Sequence, residues 1–231
     1  MFSKYFQCFL NIFNLIYYWL CFEFAAIQCL FKCSNINKIN KLLVNLFKVH
    51  FTGQTHVDIH ATTKAILANH TTAADFFLDN HILNDAACYL YKYQMIFYIP
   101  FSITYAYLNR NIYLFDRKNT NQDKLLEIVD TICNKWNKRM IVYPEGTRNT
   151  TGKPVPLKYG VIKALYNAKI SIQIMHVTNK HKILNEKTGD VCFDVICDVK
   201  ISQQFDPKCY NSLDDFIREI TEMWLKMYVC I

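Results

Sequence analysis

Between Lys4 and Lys32 the chain runs from Tyr5 to Phe31 with a single charge, Glu23. As one helix this stretch would be about 40 Å long, against roughly 30 Å for the hydrocarbon core of a bilayer. It can therefore cross with tilt or fold back as a re-entrant hairpin, and Asn11, Asn14, Glu23 and Gln28 interrupt a clean span. No small-residue cleavage site follows, so the segment reads as retained rather than as a removed signal peptide. Lys32, Lys38, Lys41 and Lys48 come after it and only Lys4 before it, so a spanning segment would leave the rest of the chain in the cytoplasm. The competing reading is a buried core helix. The expected division is a membrane-anchoring segment over 1–50 and one folded domain over 51–231.

The 231 residues are 52% hydrophobic and 19% charged, with a net charge of +7. In so apolar a chain, a basic balance fits an anionic lipid surface or a phosphorylated substrate better than nucleic acid. No Lys/Arg cluster alternates with aromatics, so no nucleic-acid partner is expected. The ten cysteines include no C-x-x-C, and none pairs with histidine at zinc spacing. They read as reduced thiols, and no metal site is expected.

Along the chain, Asn37 to His50 patterns as an amphipathic helix, with Ile39, Leu42, Leu43, Leu46 and Phe47 on one side, able to lie in a membrane interface. Gln54–His60, Ala65–Ala68, Ala86–Leu90, Ile112–Phe115, Arg139–Tyr143 and Ile170–Val177 read as strands. Val191 to Ile201 alternates apolar with polar positions as a half-buried strand does. A helix is expected from near Ala73 to Leu83, and others over Gln122–Lys138, Tyr159–Asn167 and Asn211–Met227. Strands alternating with helices imply an α/β layer.

The informative punctuation sits at strand ends. Asn69-His70 follows the apolar run Ala65–Ala68, and Asp75 comes five residues after the histidine. On a continuous helix that step rotates by about 140°, so the two side chains would face apart. A strand ending at Asn69, a bend, and a helix beginning near Ala73 bring them together. Asp75 could instead be a plain helix cap. If the two meet, the carboxylate fixes one imidazole nitrogen and leaves the other as a general base. Two further stretches sit at strand ends: Asp116-Arg117 after Ile112–Phe115, and Tyr143-Pro144-Glu145-Gly146-Thr147-Arg148 at the end of Arg139–Tyr143.

These three stretches, in this order, resemble the motifs of the glycerolipid acyltransferases, in particular the 1-acylglycerol-3-phosphate acyltransferases. The resemblance covers about Val57 to Thr178. It implies a glycerol-3-phosphate-acyltransferase-like mixed sheet flanked by helices, with the N-terminal segment as a membrane-associating helix or hairpin. It implies His70 and Asp75 as the catalytic dyad, Asn69 as its support, and Glu145, Gly146, Thr147, Arg148, Arg117 and Lys158 as substrate-binding residues. The arginines would hold an acceptor phosphate, Gly146 would let backbone approach it, and Lys158 would add charge there or meet coenzyme A phosphates. Glu145 would orient an arginine or bond the glycerol hydroxyl.

Three departures stand out. Asn111 occupies a place where the family often has glycine, and asparagine tolerates a left-handed backbone. Lys92 is the nearest match to an upstream family lysine. The fourth motif, Ile170 to Met175, lacks the usual prolines.

The resemblance implies transfer of a fatty acyl group from acyl-CoA or acyl carrier protein to a lysophospholipid, above all lysophosphatidic acid, at a bilayer and with no bound cofactor. The catalytic domain is expected on the cytoplasmic side of a membrane. Another lysophospholipid or a glycerol phosphate as acceptor, a silent lipid-binding protein of the same fold, and a lipid hydrolase are the alternatives.

Overall fold

The structure, a computed structural model, describes residues 13, 16–17, 19–24, 26–28, 30, 36–84, 87–185, 188 and 190–229. Its centre is a seven-stranded mixed sheet. In chain order the strands are β1 (His50–Gly53), β2 (Ala65–Ala68), β3 (Cys88–Lys92), β4 (Ile112–Phe115), β5 (Met140–Val142), β6 (Ile172–Val177) and β9 (Ile196–Ile201), in spatial order β1-β9-β6-β2-β5-β3-β4. β7 (Leu184–Asn185) and β8 (Asp190–Val191) form a separate two-stranded hairpin. β6, β2, β5, β3 and β4 are parallel, while β9 runs antiparallel to β6 and carries β1 parallel to itself.

The central strands β2, β5 and β6 are buried along their whole length because both sheet faces are covered there, and β2 and β5 are accordingly all apolar. Their two-residue period deals alternate side chains to two cores. Ile66, Ala68, Ile141, Met175 and Val177 face one core with α1 (Ile36–Leu46), α2 (Asp75–Leu83) and α3 (Pro100–Leu108). Ala65, Leu67, Met140, Val142, Ile172 and Ile174 face the other, under α4 (Gln122–Asp130), α5 (Gly160–Asn167) and α7 (Leu213–Val229). Local chemistry starts the helices. Asn121 Oδ1 accepts the Lys124 N–H at the head of α4, and Ser212 exchanges hydrogen bonds with Asp215 at the head of α7, a reciprocal cap. Pro100 takes the first position of α3, where its missing N–H costs nothing.

Several expectations change. Gln54–His60 is no strand: β1 ends at Gly53, whose φ of +83° turns the chain, and His56–Asp58 forms a 3-10 turn. The stretch 191–201 is broken, because Asp194 takes a φ of 58° between β8 and β9. The helix expected to reach Lys138 is regular to Asp130 and widens to a π turn over Thr131–Lys135. The left-handed residue before β4 is Arg110, at φ 56°, and not Asn111, whose buried side chain accepts from Lys138. Part of the expected α1 stripe is core: Leu43 and, just past the helix end, Phe47 are fully buried, and Phe47 meets Phe77 of α2 with ring centroids 6.1 Å apart, while Leu42 is exposed.

The apolar segment Tyr5–Phe31 lies partly outside the described residues. Those described between 13 and 30 are helical. Among the described residues, no helix is long and apolar enough to cross a membrane. The one charge of the segment acts as a cap. Glu23 is buried, and its carboxylate accepts the Phe101 N–H at 2.9 Å and the Ser102 N–H at 3.2 Å at the head of α3. Trp19 Nε1 donates to the Tyr98 carbonyl just before α3. The helical stretch is therefore tied to the folded domain by polar contacts at one end of α3. Phe13, Tyr17, Leu20 and Phe24 remain exposed along it.

Candidate active site

Because β2, β3, β4 and β5 are parallel, their carboxyl ends open on one edge of the sheet, where ligands of open α/β sheets bind. The three sequence motifs leave from that edge: His70 after β2, Asp116-Arg117 after β4, and Tyr143–Arg148 after β5.

The bend between β2 and α2 does what the spacing requires. His70 Nδ1 lies 2.8 Å from Asp75 Oδ2. The same carboxylate oxygen accepts the backbone N–H groups of Thr71 at 2.7 Å and Thr72 at 3.2 Å. Asp75 thus holds the turn as well as the ring. An ionised carboxylate only accepts, so in the neutral ring Nδ1 is the nitrogen that carries the proton and Nε2 the one that keeps its lone pair. The Asp75 side chain is 1% exposed and that of His70 is 24% exposed, which leaves the imidazole within reach of a substrate. Tyr143 lies flat against the ring, with centroids 4.3 Å apart and planes at 16°.

Burial alone would push the Asp75 carboxyl up. The charge of Lys180 and the His70 and Thr71 hydrogen bonds outweigh it and hold the group below the usual carboxylate range. Lys180, the first residue of α6 (Lys180–Ile183), is fully buried. Its Nζ lies 3.3 Å from Asp75 Oδ1, 2.9 Å from Asp79 Oδ1 and 2.8 Å from the Asn69 carbonyl, to which it donates. Burial pushes Asp79 up to about 6, against the pull of Lys180. Tyr143 Oη donates to Asp79 Oδ2 at 2.8 Å, so the ring stacked on His70 is pinned at its far end.

Asn69 is a structural clamp. Its side-chain amide donates to the Val177 carbonyl and accepts the Val177 N–H, both at 2.9 Å, extending the pairing of β2 and β6 beyond the last strand residue. Glu145, expected to orient an arginine or bond the glycerol hydroxyl, makes different contacts. Its Oε1 accepts the His70 N–H at 3.0 Å and the Tyr228 hydroxyl of α7 at 3.1 Å, so it braces the backbone of His70. Burial raises the Glu145 carboxyl above its ordinary range.

A basic rim surrounds Gly146, whose φ is +72°. Arg117 Nη1 donates to the Gly146 carbonyl at 3.0 Å. A Cβ on Gly146 would lie 3.0 Å from Arg117 Nη2 and 3.1 Å from Lys158 Cγ, so the two cations flank the glycine. Arg148 is exposed nearby, and its charge acts on Tyr91 of β3. Thr147 is exposed in the same turn, and Lys92 is exposed at the end of β3.

Sequence reading missed Lys180, Asp79, Tyr228 and His176. Asp79 had a signal, since it sits four residues after Asp75 and shares its helix face; two buried acids on one face call for a cation. Lys180 had none, for Asn179-Lys180-His181-Lys182 looks like a solvated basic loop.

A family model described as Acyltransferase matches residues 48–177. A 1-acyl-sn-glycerol-3-phosphate acyltransferase of Cocos nucifera is 29% identical over 124 residues, which cover 52% of this chain and 39% of that protein. A Caenorhabditis elegans protein provisionally named for the same activity is 29% identical over 153 residues, 65% of this chain and 56% of its own length. The matches therefore span about half or less of those relatives. The crystal structure of the 1-acyl-sn-glycerophosphate (LPA) acyltransferase PlsC from Thermotoga maritima superposes with a TM-score of 0.71 at 16% identity, covering 97% of this chain and 95% of that one, a likeness of fold.

Proposed function

This chain belongs to the acyltransferase family, and from that membership and the geometry at the strand ends we propose that it transfers a fatty acyl group from a thioester donor to the free hydroxyl of a phosphate-bearing lysophospholipid, foremost lysophosphatidic acid. The observation that carries the reading is the His70–Asp75 contact at 2.8 Å beside a rim of Arg117, Lys158 and Arg148.

In this reading His70 Nε2 takes the acceptor hydroxyl proton as the oxygen attacks the thioester carbonyl. Asp75 keeps the tautomer and stabilises the imidazolium. The tetrahedral intermediate collapses by breaking the C–S bond, and the imidazolium returns its proton to the departing thiolate. The products are the ester and a free thiol, with no acyl-enzyme. The rim meets the acceptor phosphate, for which guanidinium groups are suited. Acyl-CoA and acyl carrier protein are the donors to compare.

The bilayer is the proposed source of the acceptor. Phe97 is 85% exposed and Tyr98 66%, next to the helical stretch that presents Phe13, Tyr17, Leu20 and Phe24. Such a joint apolar face suits insertion into one leaflet. Any span within 1–31 would set the domain on the cytoplasmic side by the lysines that follow it.

The test is product analysis with labelled oleoyl-CoA or oleoyl-acyl carrier protein and a panel of lysophospholipids and glycerol phosphate. Labelled phosphatidic acid from lysophosphatidic acid is the expected result. Acyl transfer only to phosphate-free acceptors, or release of free fatty acid without any acceptor, would overturn it.

A further inference from the structure

We propose that Lys180 is a positioning residue for the dyad: its buried ammonium ties Asp75 on one side of His70 to the Asn69 carbonyl on the other. The proposal rests on the reading of His70 as the base.

Geometry carries it first. One nitrogen contacts the residue before His70 at 2.8 Å, the dyad acid at 3.3 Å and a second acid at 2.9 Å, with the side chain fully buried. It spans the bend from the strand side to the helix side. A rotation of the Asp75 carboxylate away from Nδ1 would break that contact, and so would a shift of the backbone at Asn69.

Charge carries it second. Asp75 and Asp79 are one helical turn apart and both buried. Two such carboxylates do not both ionise without a cation. The titratable groups that face them from the packed elements are Tyr89 and Tyr91 on β3, Tyr143 after β5 and Cys197 on β9, with Tyr228 on α7 also acting on Asp75 and kept protonated by burial, while His176 on β6 faces Lys180 and Lys200. Burial keeps the three phenols and the thiol protonated, and it keeps His176 neutral down to about pH 4. Glu145 adds a third acid beside His70, and Arg148 reaches Tyr91 from the exposed rim. Lys180 is the cation that acts on both aspartates.

The test compares wild type, Lys180→Met and Asp79→Asn/Lys180→Met. The double variant restores the buried net charge, since it loses one cation and one anion. Two readouts are taken: steady-state acyl transfer, and the NMR titration of the His70 imidazole, assigned by its loss in His70→Ala. The titration needs no turnover, so it tests Lys180 even if the proposed reaction fails. In Lys180→Met, kcat should fall about 10²-fold with both KM values within about twofold. The His70 titration and the acidic limb of the rate profile should move up by about one unit, because the ammonium that opposes the imidazolium charge is gone and Asp79, by taking up a proton, offsets only part of that loss. In the double variant the titration should return and kcat should regain at least about tenfold, the remaining deficit reflecting the lost Asn69 contact. If the single variant does not fold, the double alone decides, with a wild-type His70 titration as the expected result. Unchanged kcat and titration in Lys180→Met would overturn the proposal. So would a folded double variant that recovers neither.

Discussion

Glu145 Oε1 accepts the backbone N–H of His70 at 3.0 Å and the hydroxyl of Tyr228 at 3.1 Å, so the acid of the third motif joins the proposed base to the C-terminal helix. Glu145→Ala leaves a half-buried amide and a buried hydroxyl without an acceptor; the loss of an acceptor costs a buried group about 1–3 kcal/mol and a half-buried one less. The variant should lose about 2 kcal/mol of unfolding free energy and about tenfold in turnover. Glu145→Gln keeps an acceptor and should stay within about 1 kcal/mol of wild type. Chemical denaturation beside kinetics checks both; an unaltered Glu145→Ala would remove the brace from the account.

Gly146 separates Arg117 from Lys158. A methyl group there meets Arg117 Nη2 at 3.0 Å and Lys158 Cγ at 3.1 Å, on a backbone at φ +72°. The left-handed conformation costs a non-glycine residue about 1–2 kcal/mol. The Arg117 guanidinium and the Lys158 stem must also give way by a few tenths of an ångström. Gly146→Ala should therefore raise KM for lysophosphatidic acid about tenfold and leave KM for the acyl donor within about twofold. Equal rises for both substrates would detach the rim from the acceptor phosphate.

His176 gives the fold an acid-labile element. Burial, then the charges of Lys180 and Lys200, lower it from 6.5 to about 4. The unfolded chain binds its proton first, so stability from this residue is complete above pH 6.5 and is lost as pH falls toward 4. The span corresponds to about 3 kcal/mol. Asp79 acts oppositely: raised from 3.8 to about 6, it adds stability below 3.8 that fades as pH rises through 6. Replacing His176 by Gln should remove the acid-side loss, so that the variant resists denaturant better than wild type at pH 4.5 relative to pH 7.5. A parallel decline in both proteins would contradict this.

Phe97 and Tyr98 are exposed beside the start of α3. Burying one large aromatic side chain in an apolar phase gains about 1.5–3 kcal/mol. Phe97→Ser should lower partitioning onto anionic lipid vesicles by about tenfold or more, with the circular dichroism spectrum unchanged. Undiminished vesicle flotation would place the membrane contact elsewhere.

What the sequence revealed, and what it hid, follows from the range of the interactions. The His70–Asp75 turn was legible because strand, bend and helix are local, and only one geometry lets a five-residue gap close. The parallel strands were legible because burial on both faces leaves unbroken apolar runs such as Ala65–Ala68. Breaks made by a single backbone angle were not: Asp194 interrupts an apolar alternation, Val191-Phe193-Val195-Cys197, that reads straight through it. Neither was the role of Glu145, whose partners lie 75 and 83 residues away. Lys180 escaped because nothing nearby in the chain distinguishes it from Lys182; only the two aspartates delivered by α2 give it a buried place. Glu23 read as a flaw in a hydrophobic run until Phe101 and Ser102 supplied the amides it caps.

The most direct test of the central claim is kcat/KM for oleoyl transfer to lysophosphatidic acid by wild type and His70→Ala, each confirmed folded and bound to vesicles alike. The account predicts phosphatidic acid from the wild type and a loss of about 10³-fold or more in the variant, with lysophosphatidic acid binding retained. Transfer by His70→Ala within about tenfold of wild type would contradict it, since no base fixed by Asp75 would then be needed.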